Sequence, residues 1–296
     1  MGKEIKGIVV PVVTPFRQDE SINEDALRQI VNYLVGAGVH GLFPSGSQGE
    51  FWALTTDEKK RVMDVVIEEA DGRVFVMPST GAVTTRESIE LTRHAERSGA
   101  DAVSVITPFF IRPSADELRR HYVAIANSVS IPVLAYSNPD RTSLPITPAV
   151  AAAIAREAGN FAGIKDSSGD LTNTMAYIEE CPPHFRTFMG RDTLIYAGLV
   201  YGCVGAVAAT ANVAPELVVG IYDAFMAGDR DLALQRQRRL APLRRAFTLG
   251  SFPVVVKDAM ELMGLPAGPC RAPIRSLEGQ ARQTLIAILR DMGKLQ

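Results

Sequence analysis

The chain has 296 residues, 47% of them hydrophobic, and its 31 Lys and Arg residues nearly balance 33 Asp and Glu residues. That length is ample for a large buried core and is compatible with a single α/β barrel of about 250 residues plus an extension. A formal net charge of −2 offers no basic field for nucleic acid, so we expect no nucleic-acid partner.

Short runs of β-branched residues alternate along the chain with segments of helical periodicity. The first helical segment, residues 27–35, repeats apolar residues at spacings of three and four, and Asn23 is its expected N-cap. Four more helix starts are predicted at Thr55, Thr84, Ser114 and Thr147. Each of the first three is followed by Glu three residues later, and Thr147 is followed directly by a proline. The predicted strands lie near residues 5–14, 40–44, 73–78, 101–107, 131–136, 161–165, 185–189 and 204–208.

Eight such strand–helix units fit between residue 5 and about residue 227. Eight units favour a closed (β/α)8 barrel, the TIM barrel, over a doubly wound sheet. After Asp229 the alternation stops, and helical patterns cover 229–248, 252–263 and 276–291. We therefore predict a catalytic barrel domain over 1–228 and a C-terminal helical subdomain over 229–296.

Polar residues follow several of the predicted strands, at the barrel end where active sites of this fold lie. Lys165 ends strand 6 and Tyr136 ends strand 5, one β/α unit earlier. The segments PSGSQGE (44–50), MGRD (189–192) and AATAN (208–212) follow strands 2, 7 and 8. These groups are expected to share one barrel mouth.

Lys165 is the first candidate for chemistry. Burial disfavours the charged form of a lysine, and a neutral amine attacks a carbonyl carbon to form an imine. The alternative is a lysine that extends its ammonium group to solvent. Neighbouring strands lie about 4.8 Å apart, so the phenol of Tyr136 can reach Lys165 and shuttle protons. A tyrosine that only anchors its loop by one hydrogen bond is the alternative for Tyr136.

The segment 45–50 is the third candidate. Its glycines let the backbone approach a ligand, and successive amides form a nest that suits a carboxylate. An ordinary Gly/Ser turn is the alternative.

The longest apolar stretch of the chain covers residues 199–213. It is too short for a membrane span, and it contains the polar residue Asn212.

Other reaction classes lack their motifs. The four histidines, His40, His94, His121 and His184, are widely spaced, so we expect no metal site, and His94 and His121 are predicted on solvated helix faces. A Walker phosphate-binding loop and a G-x-S-x-G elbow are absent from the sequence, and we predict no cofactor.

Three cysteines, Cys181, Cys203 and Cys270, are far apart, which indicates buried structural thiols in a reducing compartment. The first residues show no secretory signal pattern. We therefore expect a cytoplasmic protein.

Five motifs together resemble one family along essentially the whole chain. They are TPF at 14–16, GSQGE at 46–50, YSNPDRT at 136–142, GIKDSSGD at 163–170 and AGDRDLA at 227–233. The family is that of dihydrodipicolinate synthase and N-acetylneuraminate lyase, which are pyruvate-dependent class I (Schiff-base) aldolases and related dehydratases. The resemblance implies that Lys165 forms the imine with C2 of pyruvate or another 2-oxo acid, that Tyr136 relays protons and that Ser47 joins the relay.

The same resemblance implies the substrate-binding residues. Ser47, with the backbone amides of Ser47 and Gln48, would hold the keto-acid carboxylate, and Arg141 would bind a carboxylate of the second substrate. Gly190 and Ala208, after strands 7 and 8, are the other predicted substrate-binding positions. The resemblance also implies a homotetramer built as a dimer of dimers.

The chain departs from the synthase pattern at four positions. Phe110 stands where a second relay tyrosine from the neighbouring subunit is expected, and Gln48 replaces a threonine. Val83 and Phe109 stand where asparagine and tyrosine bind feedback lysine in some synthases, so we expect no lysine feedback.

These observations leave two enzymatic hypotheses and two others. Arg141 and the lysine motif favour a 4-hydroxy-tetrahydrodipicolinate synthase-like condensation of pyruvate with an aldehyde. Phe110 and Gln48 favour the alternative, an aldolase or dehydratase of a hydroxylated 2-oxo sugar acid of the N-acetylneuraminate or 2-keto-3-deoxy type. A non-catalytic keto-acid sensor is disfavoured by the Lys165 and Tyr136 pair, and a phosphate-binding barrel using 202–205 lacks a nearby Lys or Arg.

Overall fold

Eight parallel strands form the centre of the computed structural model, which describes residues 3–295. The strands pair in the order β3-β2-β1-β8-β7-β6-β5-β4. Their bounds are β1 (Gly7–Val10), β2 (Gly41–Leu42), β3 (Phe75–Val76), β4 (Val103–Ile106), β5 (Val133–Ser137), β6 (Phe161–Asp166), β7 (Arg186–Met189) and β8 (Gly205–Val207).

The two ends of this sheet, β3 and β4, meet just beyond the strands themselves. Ser79 and Ser104 form a parallel bridge, and the Thr80 amide donates to the Ser104 carbonyl at 2.9 Å. The Ser104 amide in turn donates to the Pro78 carbonyl at 2.8 Å. These bonds close the sheet, which confirms the predicted (β/α)8 barrel.

Helices follow the strands and cover the barrel. Through the eighth unit they are α1 (Glu24–Gly36), α2 (Thr56–Ala70), α3 (Thr85–Arg97), α4 (Ala115–Ala126), α5 (Pro139–Thr142), α6 (Pro148–Glu157), α7 (Leu171–Glu180), α8 (Ile195–Tyr201) and α9 (Pro215–Met226). Three more follow: α10 (Arg230–Arg245), α11 (Val254–Leu262) and α12 (Gly279–Asp291).

The predicted helix starts are confirmed by their hydrogen bonds. Asn23 accepts from the Ala26 amide at 3.2 Å and caps α1. Full capping boxes, in which the third helical residue bonds back, form at Thr55 and Ser114. Thr84 caps α3 without the return bond, and Thr147 caps α6 with Pro148 in the first turn. Each cap satisfies amides that have no partner within the helix.

The C-terminal helices share a core with the barrel. One hydrophobic cluster contains Ile8 and Val10 of β1 together with Leu240 of α10, Val254 of α11 and Leu285 of α12. We keep the division into a barrel over 1–228 and a helical subdomain over 229–296 as a proposal.

Within residues 3–295, no helix is both long enough and apolar enough to cross a membrane.

The prediction that His121 lies on a solvated helix face is wrong. His121 is 6% exposed, and its Nδ1 lies 2.9 Å from Oγ1 of Thr85 on the neighbouring helix α3. His94 is half-buried and its Nε2 lies 2.8 Å from Oδ1 of Asp64. The cysteines behave as predicted, since Cys181, Cys203 and Cys270 are all buried and free.

Candidate active site

Tyr136 and Lys165 occupy paired positions on the neighbouring strands β5 and β6. The Lys165 Nζ lies 3.8 Å from the centroid of the Tyr136 ring and 4.5 Å from that of Phe43. Lys165 is 4% exposed and Tyr136 is 3% exposed. The amine is therefore held inside the barrel mouth against two aromatic faces, as the argument from strand order predicts.

Two polar side chains contact the hydroxyl of Tyr136. Asn138 Nδ2 donates to it at 2.8 Å, and Ser47 Oγ lies 3.4 Å from it. Burial raises the pKa of Tyr136, but the charge of Lys165 and the hydrogen bonds from Ser47 and Asn138 outweigh burial and lower it. A tyrosine with a lowered pKa is suited to giving up and regaining its proton during a reaction.

The Gly/Ser loop at 45–50 folds tightly between barrel and C-terminal helices. Ser45 and Glu50 both have a φ of 55°, in the left-handed region. A Cβ at Gly49 would lie 2.8 Å from the Val12 carbonyl oxygen, so only glycine fits at that position. Gln48 is buried and donates through Nε2 to the Pro253 carbonyl at 3.2 Å.

A buried ion pair fixes the end of this loop. Lys257 of α11 donates to Glu50 Oε1 at 2.8 Å, to the Thr14 carbonyl at 2.9 Å and to the Pro269 carbonyl at 2.6 Å. The second oxygen of Glu50 accepts from the Arg271 amide at 3.1 Å. Every donor of the ammonium group is used, so the pair joins the loop to the C-terminal helices without an unpaired charge.

A cavity of about 350 Å³ opens at this mouth. The predicted site residues that line it are Ser47, Gln48, Tyr136, Arg141, Lys165 and Gly190. Ala208 is buried with its amide bonded to the Val9 carbonyl, while its neighbours Val207 and Ala209 line the cavity. The structure thus brings six of the seven predicted residues to one cavity and places Ala208 just behind its wall.

The cavity also contains residues that the sequence analysis gave no role. Asn138 and Arg191 lie in motifs quoted above, whereas Arg244 and Phe252 come from the C-terminal segment. The guanidinium carbon of Arg141 lies 4.4 Å from the centroid of the Phe252 ring. No local pattern marks the C-terminal pair, because their position follows only from how that segment packs on the barrel.

Phe110, at the expected place of the second relay tyrosine, points away from the cavity. Its side chain is 98% exposed and its φ is 72°. The preceding Phe109 packs edge-on against Phe51 with ring centroids 5.6 Å apart. Within the described residues, Tyr136 is the tyrosine that lines the cavity.

Comparison with known proteins agrees with this geometry. The model of the dihydrodipicolinate synthetase family matches residues 4–292. The chain belongs to the dihydrodipicolinate synthetase family. As a member of that family it is a class I, Schiff-base-forming lyase, and the early resemblance is confirmed.

Relatives match the chain over nearly its full length. A 4-hydroxy-tetrahydrodipicolinate synthase of Methanopyrus kandleri is 38% identical over 100% of this chain and 99% of its own. An uncharacterized DapA-like lyase of Halobacterium salinarum is 40% identical over 98% of this chain and 95% of its own. The crystal structure of YagE, a family member from E. coli K12 in complex with pyruvate, is 32% identical, with a TM-score of 0.94, and the match covers 98% of this chain and 99% of YagE.

Proposed function

We propose that this lyase condenses pyruvate with an acidic aldehyde, in the manner of a 4-hydroxy-tetrahydrodipicolinate synthase, with aspartate semialdehyde as the leading second substrate. The observation that carries the proposal is the buried pairing of Lys165 with Tyr136 inside the cavity. Relatives named 4-hydroxy-tetrahydrodipicolinate synthase support the same reaction.

Lys165 supplies the nucleophile. Once its ammonium group has lost a proton, Nζ attacks C2 of pyruvate, the C2 oxygen leaves as water, and a protonated imine forms. Loss of a proton from C3 gives an enamine, whose C3 forms the new carbon–carbon bond to the aldehyde carbon. Attack on the imine carbon by water or by an amine of the second substrate then releases Lys165.

Tyr136 carries the protons that these steps require. Its hydroxyl lies 3.4 Å from Ser47 Oγ and its ring centroid lies 3.8 Å from the amine, so the hydroxyl can protonate the departing C2 oxygen and later the new alkoxide. Ser47 accepts the proton of Tyr136 and passes it onward. The lowered pKa of Tyr136 brings its proton affinity closer to that of the groups with which it exchanges.

The loop at 45–50 and the opposite rim bind the acid groups. The hydroxyl of Ser47 and the amides of Ser47 and Gln48 hold the pyruvate carboxylate, while Gly190 and Ala208 border the bound keto acid. Arg141 binds the carboxylate of the aldehyde. In support, Arg141 lines the cavity, where its guanidinium carbon lies 4.4 Å from the centroid of the Phe252 ring.

The alternative, cleavage or dehydration of a hydroxylated 2-oxo sugar acid, is not favoured by the relatives' names. In the structure, Phe110 lies outside the cavity of its own chain, and Gln48 lines that cavity while its Nε2 donates to the Pro253 carbonyl.

Borohydride reduction in the presence of pyruvate tests the proposal. The expected result is one reduced pyruvyl adduct per chain, located at Lys165 by peptide mass spectrometry. Lys257 is the matched control, because it is equally buried but its three donors are already paired. An unmodified Lys165 in the pyruvate-treated enzyme rules out imine chemistry. A coupled assay with aspartate semialdehyde and a panel of 2-oxo sugar acids then identifies the second substrate.

The homotetramer and the cytoplasmic location are also proposed. Phe110 and Ile111 expose apolar surface beside the site, 98% and 45% exposed, which supports a subunit contact there. Light scattering of the purified protein tests the assembly, and a mass of one or two chains contradicts a tetramer.

A further inference from the structure

Asn138 makes the shorter of the two polar contacts to the Tyr136 hydroxyl, and the reaction proposed above does not use it. Its Nδ2 lies 2.8 Å from the hydroxyl oxygen, compared with 3.4 Å for Ser47 Oγ. Asn138 also lines the cavity that contains Lys165. It is therefore close enough to the reacting groups to affect the proton path.

The backbone of Asn138 explains why its side chain is available. Asn138 precedes the short helix α5 at the position where an asparagine side chain usually caps the helix. Here its side chain makes no capping bond, although its carbonyl accepts from the Arg141 and Thr142 amides at 2.9 and 3.0 Å. The backbone is held by α5 while the amide group is turned towards Tyr136.

No second phenol from this chain reaches the relay. The residue at the expected position is Phe110, whose ring is 98% exposed and has no hydroxyl. Among the described residues, the side-chain hydrogen bonds to the Tyr136 hydroxyl come from Ser47 and Asn138. Asn138 thus supplies a contact where the phenol of a second tyrosine is missing.

We propose that Asn138 is a positioning residue of the proton relay, whose amide fixes the Tyr136 hydroxyl so that its proton faces Ser47 and the substrate. This inference rests on the proposed role of Tyr136. Because the hydroxyl oxygen accepts from Nδ2, its own hydrogen must point elsewhere, and Ser47 Oγ is the other polar partner at hand. The amide also stabilises the phenolate, because a hydrogen bond to a charged acceptor is stronger than one to a neutral acceptor.

The charged surroundings of the hydroxyl determine the sign of the effect. Lys165 on β6 is the charged group that faces Tyr136, while Ser47 after β2 is neutral and Phe43 is apolar. The remaining charged residues that line the cavity are Asp140, Arg141, Arg191, Asp192 and Arg244. Removing the amide while these groups stay in place takes away one donor that favours the phenolate, so Tyr136 must titrate at higher pH.

The test combines an ultraviolet difference titration with kinetics. In Asn138→Leu, the titration of Tyr136, isolated by subtracting the Tyr136→Phe background, moves to higher pH. The alkaline limb of the kcat profile moves with it, and kcat falls about 10-fold while the KM for pyruvate changes little. Asn138→Gln, which retains the amide, restores part of the loss. If Asn138→Leu does not fold, the isosteric Asn138→Asp replaces it, and its negative charge moves the titration further upward.

Asn160→Ala is the matched control. Asn160 donates to the carbonyls of Ala126, Val129 and Ile131 far from the site, so its loss lowers stability without moving the Tyr136 titration. An unmoved titration and unchanged kcat in Asn138→Leu, with Lys165 still trapped by borohydride, overturn this inference alone. Failure of trapping in the wild-type enzyme instead overturns the proposed function, and the titration still reports whether the amide acts on Tyr136.

Discussion

Glu50 and Lys257 form an ion pair 2.8 Å long in which neither side chain is exposed. The two residues are 207 positions apart, one in the loop that carries Ser47 and the other in the C-terminal helix α11. The pair therefore couples the packing of the C-terminal helices to the loop proposed to bind the keto-acid carboxylate.

Lys257→Met is expected to destabilise the protein by about 3 to 5 kcal/mol, because it leaves a charge buried without its partner. Urea unfolding followed by circular dichroism measures the loss. The double variant Glu50→Gln, Lys257→Met should recover part of it, since no charge then remains buried. The exposed pair Lys60 and Glu90 is the control, and Lys60→Met there should cost no more than about 1 kcal/mol. Equal losses at the two pairs would show that burial of the Glu50 pair is unimportant.

Tyr136→Phe is expected to lower kcat by roughly 100-fold or more while pyruvate still forms its borohydride-trapped adduct. The variant lacks the hydroxyl that moves protons but keeps the aromatic ring in contact with Lys165. We therefore expect kcat to fall more than the affinity for pyruvate. Steady-state assays measure kcat, and mass spectrometry of the trapped adduct on the same preparation measures pyruvate binding, so the two effects are separated. Tyr33→Phe is the control, because that hydroxyl donates to the Val213 carbonyl at 3.4 Å and does not line the cavity, so its loss should leave kcat unchanged. Wild-type kcat in Tyr136→Phe would remove Tyr136 from the relay.

Local patterns predicted those parts of the molecule that depend on neighbours in sequence. Helix caps such as Thr55 and Ser114 need only the next three residues, and strand order alone placed Tyr136 beside Lys165. The pairing of Glu50 with Lys257 could not be predicted, because it depends on how the C-terminal helices pack on the barrel. Arg244 and Phe252 reach the cavity for the same reason.

The error at His121 had a signal that the sequence contained. Leu118 and Ile125 are buried on α4, and His121 lies three residues after the first and four residues before the second. That spacing predicts burial on the apolar face for any side chain at position 121. Asn138 differs, since its motif is visible in the sequence but its turn towards Tyr136 depends on the backbone that precedes α5.

Arg141→Gln is expected to raise the KM for aspartate semialdehyde by roughly 10-fold or more, since a charge-assisted bond to the substrate carboxylate is lost. Steady-state kinetics with this aldehyde and with a neutral aldehyde measure the effect, and the neutral one should be unaffected. Arg120→Gln is the control, because Arg120 is 74% exposed on α4 and pairs with Asp116. The same KM in Arg141→Gln and wild type would argue that the second substrate is not held by Arg141.

His121 makes folding stability depend on pH. Burial lowers the pKa of His121 from 6.5 to about 4, so below pH 6.5 the unfolded chain binds a proton that the folded chain does not. This contribution is complete above pH 6.5 and is lost as pH falls towards 4, by an amount on the order of 3 kcal/mol. Urea unfolding of wild type and His121→Gln at several pH values should show a weaker acid-side loss in the variant. His184→Gln, at an exposed position, should keep the wild-type slope, and an unchanged slope in His121→Gln would mean that this imidazole takes up its proton equally in both states.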